Sequence, residues 1–376
     1  MRSSLKSFLD NKSLYYDKID YDIIKNSWDI LSNHISLPYI IHIVGTNGKG
    51  STGRFLSSLL VQLNQDVLHY SSPHILHFNE RIWINGDDVS DEKLDYAHLQ
   101  LQTILSQNLL EKLTYFEYTT LLGLYLSDKR DYLVLEAGLG GEFDATNVVP
   151  NDLSIITTIG LDHQSFLGDT IELIATTKMR SCDNNFIISY QMYDEVYDVK
   201  NKVLSTKNEI KRKQFTMNQE DQELPLYLQN NLQTTLSVLD FLGFQNFNYV
   251  LPKLFGRYQK ISDNIIMDVG HNPLAATAIA KELSKENKKY ILVYNSYADK
   301  DYEEVLTILK PYITEVQIVQ CDDKRIVERN KLVKKIKNLS LKVNDFDIIK
   351  IDAQKNYLIF GSFLVAEVFL KGYSKV

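Results

Sequence analysis

The sequence predicts an α/β protein of two domains, each built on a mainly parallel sheet flanked by helices. Three observations carry that expectation. Short runs rich in β-branched and aromatic residues alternate with helical patterns along most of the 376 residues, the arrangement of a helix-covered parallel sheet. The alternation lapses around "LFGRYQ", residues 254–259, and then restarts. The chain also exceeds what one ordinary hydrophobic core needs, and its length suits two.

The elements follow in order. Strands are expected at 39–44, 66–70, 132–136, 153–159 and 186–190, where the residues suit short, buried strands. Helical patterns fall at 51–64, 91–107, 115–127 and 229–242. After the lapse, "NIIMDVG" gives a strand at 264–270 and a helix at 273–286. A strand at 290–295, a helix at 301–311, a strand at 315–320, a helix at 326–338 and a strand at 357–360 come next. A closing helix follows "GSF" at 361–363. The expected domains are 1–256 and 257–376, with a cleft between them.

Composition narrows the class. With 44% hydrophobic and 24% charged residues the chain reads as a globular protein. A net charge of −7 argues against a general nucleic-acid or membrane-surface binder. Cys182 and Cys321 lie far apart and form no metal-ligand spacing. No apolar run reaches bilayer length, and the N-terminal residues lack the apolar core of a signal peptide. A cytoplasmic location is expected.

The stretch "IVGTNGKGST", residues 43–52, resembles a phosphate loop but departs from G-x-x-x-x-G-K-[ST]: His42 stands where the first glycine belongs, and Gly50 separates Lys49 from Ser51. Its context is a strand, glycines and a helix, which aims backbone N–H groups and a helix dipole at one anion. Lys49 would set a cation beside the terminal phosphates, with Ser51 or Thr52 bonded to phosphate or metal. On the string alone, a glycine-rich turn with a solvated lysine is an equal reading.

Other strand ends add polar residues. "HYSSPH" (69–74) places Ser72 in a turn beyond a strand. "YLVLEAGLGGEFDATN" (132–147) ends a strand on Glu136, a carboxylate costly to desolvate unless a cation or local amides meet it. "IITTIGLDHQSFLG" (155–168) ends on Asp162 and His163, where a ligand role and an ordinary hydrogen-bonded histidine are both open. Lys178 lies on an expected helix and by itself reads as solvated.

Taken together, "GTNGKGS", "SSPH", "TYFEYTT", "LEAGLGGEFDATN", "LDH", "GRYQ" and "DVGHNP", in this order, resemble the folylpolyglutamate synthase/dihydrofolate synthase family of the Mur ligase superfamily. The resemblance implies an N-terminal P-loop ATPase-type domain and a smaller C-terminal Rossmann-like domain. It explains the short loop, since that superfamily uses G-T-x-G-K. It implies ATP contacts at Thr46, Asn47, Gly48, Lys49, Gly50 and Ser51, with Asn231, Arg257 and Asp268 at further nucleotide positions. Magnesium ligands are implied at Ser72, Glu136 and His163, joined by Lys178 if it is carbamylated. Thr177 stands before that lysine where the family often has an acidic residue. Catalytic roles fall to Lys49, Glu136, His163 and Lys178. Substrate contacts are implied at Thr114, Phe143, Asp144 and Ala145 for the pterin, and at His271 and Ser362 near the amino-acid or nucleotide site. The last two could instead cap the helices that follow them.

The implied reaction is ATP-dependent amide formation between L-glutamate and 7,8-dihydropteroate or a reduced folate. Its partners are small molecules, with neither nucleic acid nor membrane, and the implied working form is a monomer. Domain closure would complete the site. Three other readings remain at this point. One is a single-activity dihydrofolate or folylpolyglutamate synthase. A Mur-type peptidoglycan ligase would need a UDP-binding domain, and about 40 residues precede the loop, too few for one. A nucleotide-binding switch accounts for Lys49 and Ser51 but not for Glu136, His163 and "DVGHNP" together.

Overall fold

A computed structural model describes residues 4–13 and 21–375. Its described residues form two sheets. The strands in chain order are β1 (Tyr39–Val44), β2 (Val67–Tyr70), β3 (Ile82–Ile84), β4 (Asp87–Asp88), β5 (Tyr132–Glu136), β6 (Leu153–Ile156), β7 (Asn185–Ile188), β8 (Asn208–Ile210), β9 (Gln259–Ser262), β10 (Ile265–Met267), β11 (Tyr290–Tyr294), β12 (Ile313–Ile318), β13 (Lys342–Asp345) and β14 (Asn356–Phe360).

The first sheet has eight strands in the order β4-β3-β2-β5-β1-β6-β7-β8. It is parallel except for the β2-β3-β4 ribbon at one edge. Ribbon and parallel core need different connections: the Asn85-Gly86 pair, both at positive φ, closes β3 onto β4. The second sheet has six strands, β13-β12-β11-β14-β10-β9, with β9 antiparallel to β10. Both sheets are therefore mainly parallel and helix-covered, as the alternation predicts.

Each unit has its own core. In the first, Leu68, Tyr70, Leu133 and Leu135 pack under helices Asp91–Ile104 and Tyr115–Leu126. A second cluster joins Val44, Ile156 and Phe186 to helices Ile171–Met179 and Glu195–Val203. The other unit buries Leu292, Tyr294, Leu358 and Phe360 with helices Pro273–Leu283, Tyr302–Leu309 and Arg329–Asn338.

Several elements end earlier than the patterns indicate. The expected helix 91–107 stops at Ile104, and Ser106 caps a separate helix, Gln107–Lys112. The expected strand 153–159 stops at Ile156; beyond it, the carbonyl of Thr158 receives the N–H groups of Thr46 and Asn47 rather than extending a ladder. The division into units is also more interleaved than a single boundary after residue 256. Among the described residues, the first comprises those up to 159 with 167–217 and 230–252; the second comprises 160–166, 218–229 and those from 253 onward.

Candidate active site

β1 ends at Val44 and the helix Lys49–Gln62 begins five residues later. The turn between them is built for close approach. Gly45 packs so tightly on β6's extension that a Cβ there would lie 1.9 Å from Thr157 Oγ1. Gly48 sits at φ +92 as the N-cap and has no side chain to cap the first turn, so that turn's amides face outward as anion donors. Lys49 Nζ donates to the carbonyls of Gly45 at 3.2 Å and Thr46 at 3.4 Å. Ser51 Oγ bonds the Gly48 carbonyl and accepts from Asn231 Nδ2 at 2.8 Å. Asn231 thus belongs physically to the loop, although 180 residues separate it from Ser51.

His42 lies within β1 and is buried; its Nε2 meets Thr146 Oγ1 at 2.9 Å. Burial pulls its pKa down to about 4. It is a strand residue of the core, not a missing loop glycine.

Lys178 is 4% exposed, on helix Ile171–Met179, and its Nζ donates to the same Gly45 carbonyl at 2.9 Å. Two lysine side chains therefore converge on the first residue of the phosphate loop. The solvated-lysine reading of residue 178 is excluded by that burial.

Glu136 closes β5, and Ser72 lies just past the end of β2, which pairs with β5 up to Tyr70 and Leu135. Glu136 is 4% exposed. Ser72 precedes Pro73 through a cis peptide bond. These are hard oxygen donors at adjoining strand ends, the donor chemistry that suits magnesium with phosphate oxygens completing its shell. Among the described residues no three His, Cys, Asp or Glu side chains cluster to hold a metal by themselves. A cation here would thus draw on hydroxyl, phosphate or modified-lysine oxygens as well.

The remaining first-unit candidates divide by what their side chains do. Thr114 caps helix Tyr115–Leu126 in a capping box with Glu117, donating to Glu117 Oε2 at 2.9 Å. Asp144 is buried and holds its own loop: one oxygen accepts from Leu139 N at 2.6 Å, the other from Thr146 N and Oγ1. Burial raises its pKa against the pull of those bonds. Ala145 is buried, whereas Phe143 is 58% exposed, its ring beside that of Tyr21.

Asp162 and His163 belong to the second unit. Asp162 Oδ1 accepts from Lys300 Nζ at 2.6 Å, and Oδ2 accepts from Asn272 Nδ2 at 2.9 Å with His271 Nε2 at 3.4 Å. Burial alone would raise the Asp162 pKa, but the His271 hydrogen bond and charge, with His163 and Lys300, hold it well below the usual carboxylate range. Lys300 Nζ also stands 3.2 Å from His163 Nε2. Asp268 accepts from Tyr227 Oη, Tyr258 N and Gly270 N, and Arg257 lies over the Phe363 ring at 5.3 Å. Ser362 does cap the closing helix, accepting from Val365 N. His271 does not cap: Asn272 performs that role. Sequence reasoning assigned nothing to Asn272 or Lys300. "DVGHNP" and "ADKD" contain both, but no spacing rule ties either to Asp162 over more than 100 residues.

No family model matches the chain. Haemophilus influenzae dihydrofolate synthase/folylpolyglutamate synthase is 32% identical over an alignment covering 88% of this chain and 86% of that protein. The crystal structure of Helicobacter pylori folylpolyglutamate synthetase matches with a TM-score of 0.78 at 37% identity, covering 99% of this chain and 98% of that one. A bifunctional folylpolyglutamate synthase/dihydrofolate synthase with Mn, AMPPNP and L-glutamate bound matches with a TM-score of 0.82 at 26% identity, covering 98% of each chain. Similarity of this extent, on a fold that carries the short phosphate loop, places the chain in the dihydrofolate synthase/folylpolyglutamate synthase family of ATP-dependent glutamate ligases.

Proposed function

We propose that this enzyme joins L-glutamate to 7,8-dihydropteroate and then adds further glutamates to reduced folates, through an acyl phosphate. The observation that carries the chemistry is the convergence of Lys49 and Lys178 on the Gly45 carbonyl of the phosphate loop. Lys49 preorganises positive charge there, where a transferring γ-phosphoryl group develops negative charge, and Lys178 brings to the same carbonyl an amine that carbamylation would turn into an oxygen ligand. The family relationship supplies the substrate class.

In the proposed reaction an oxygen of the acceptor carboxylate attacks the γ-phosphorus and ADP departs. The neutral amine of glutamate then attacks the acyl carbon. Collapse expels inorganic phosphate, which keeps the carboxylate oxygen, and the amine loses a proton. The loop amides and Ser51 hold the phosphates, Lys49 stabilises the charge in flight, and Asn231 fixes Ser51. Arg257 and Asp268 serve the nucleotide. Phe143 offers an exposed ring for the pterin, with Asp144, Ala145 and Thr114 shaping the loop and helix start around it. His271 and Ser362 are assigned to glutamate or nucleotide.

A divalent cation held by Ser72, Glu136, His163 and modified Lys178 would neutralise phosphate charge. Lys178 carbamylation is supported by its burial beside a second lysine, which favours the neutral amine that reacts with carbon dioxide and attracts the anionic carbamate it forms. With ¹³C-labelled bicarbonate, a carbamate signal should appear in the native protein and vanish in Lys178→Arg; its absence from both refutes the modification.

The activity test supplies ATP, magnesium, L-glutamate and either dihydropteroate or a reduced folate. Amide from both acceptors is expected. Amide from one alone reduces the enzyme to a single activity, a reading favoured by the naming of the Helicobacter pylori relative as a folylpolyglutamate synthetase. Phosphate release with neither acceptor converted refutes the proposal.

A further inference from the structure

The phosphate-loop helix rests on a histidine that no step above uses. His69 lies in β2, 1% exposed, between Leu68 and Tyr70, which face the core under helices Asp91–Ile104 and Tyr115–Leu126. Strand alternation turns His69 to the other face, toward helix Lys49–Gln62. There a Cβ added to Gly53 would stand 2.4 Å from His69 Nε2, closer than real atoms approach. The helix backbone therefore lies directly against the edge of the imidazole.

The ring itself is unusual. Among the described residues neither nitrogen meets a hydrogen-bond partner. Burial, with the Arg54 charge second, holds its pKa well below the ordinary value, so the ring is neutral. A buried imidazole left unmatched costs free energy that an aliphatic side chain would not. The next helix residue is also anchored: the Arg54 guanidinium lies 4.7 Å from the centre of the Trp83 ring, and Trp83 is the cross-strand partner of His69.

We propose that His69 and Gly53 form a steric seat that sets the height of the phosphate-loop helix above β2. The seat thereby fixes Lys49 and Ser51 relative to Ser72 beyond the end of the same strand. His69 is a positioning residue, acting through the helix and not on substrate. The glycine is required because any side chain at residue 53 would lift the helix off the ring. This inference rests on the ATP-ligase reading above.

The test compares wild type, Gly53→Ala, His69→Ala and the double variant, by AMPPNP binding and by steady-state turnover. Gly53→Ala should weaken AMPPNP binding and raise the KM for ATP about tenfold, with the KM for glutamate held within about twofold. His69→Ala should loosen the seat and raise the KM for ATP about threefold at unchanged kcat. The double variant should return to the His69→Ala value, because the vacated ring space receives the new methyl group. Gly53→Ala behaving as wild type would overturn the proposal, as would a double variant no better than Gly53→Ala. Should Gly53→Ala fail to fold, recovery of AMPPNP binding in the double variant supports the seat and its absence overturns it. Failure of His69→Ala to fold also overturns it, since the ring would then be ordinary core packing. Wild type that binds AMPPNP yet makes no amide refutes the ligase reading alone.

Discussion

At the scale of residues, Lys49 and Glu136 separate chemistry from stability. Among the described residues the hydrogen bonds of Lys49 go to carbonyls of its own loop. Lys49→Met should lower kcat by roughly 10²–10³-fold, as loss of one preorganised charge does, with the thermal midpoint nearly unchanged. A fall of less than about tenfold would remove it from the phosphoryl-transfer role. Glu136→Gln keeps shape and burial but removes the charge a cation needs; turnover should drop about 100-fold with the fold intact, checked by kcat and circular dichroism. Unchanged turnover would count against the metal role. The identities of these residues were legible because both stand where a strand ends, next to glycines. The partners were not. Nothing in the spacing of Asn231 and Ser51, or of Lys300 and Asp162, announces a contact that only the folded chain brings together.

At the scale of elements, caps and turns carry the next expectations. Ser362→Ala removes the side-chain cap of helix Phe363–Tyr373 and should cost about 1 kcal/mol, read as a lowered urea midpoint for the second unit. An unaltered midpoint would mean that backbone or solvent replaces the cap. Strands such as "YIIHIV" and "YLVLE" were legible because burial on both faces selects apolar, β-branched runs. β13, "KVND", was not, since only one of its four residues is even half-buried and its pattern carries no strand period. The β3-β4 hairpin announces itself only through Asn85-Gly86, a short-range turn signal and not a hydrophobic one. Thr114 shows the limit of resemblance at this scale: its hydroxyl is committed to a capping box, whatever else its backbone contacts.

At the scale of the whole molecule, two α/β units follow from the repeated strand–helix rhythm, but their interleaving does not. Residues 160–166 lie between two elements of the first unit in sequence yet cluster with the second, held by Lys300, His271 and Asn272 on one aspartate. Acid stability is a property of this scale too. His42 ionises near pH 6.5 when unfolded but holds off until about pH 4 in the native protein. The unfolded chain therefore binds the proton first as pH falls, so stability is full above pH 6.5 and declines toward pH 4. His42 alone should account for about 3 kcal/mol over that window, seen as a falling urea midpoint of the first unit; the decline should shrink in His42→Asn. An equal decline in both proteins would assign it elsewhere. The central claim is that bound ATP activates the acceptor carboxylate for attack by glutamate, and oxygen transfer tests it most directly. With dihydropteroate labelled by ¹⁸O in its carboxylate, one labelled oxygen should appear in inorganic phosphate for each amide formed. Amide formed with unlabelled phosphate would contradict it.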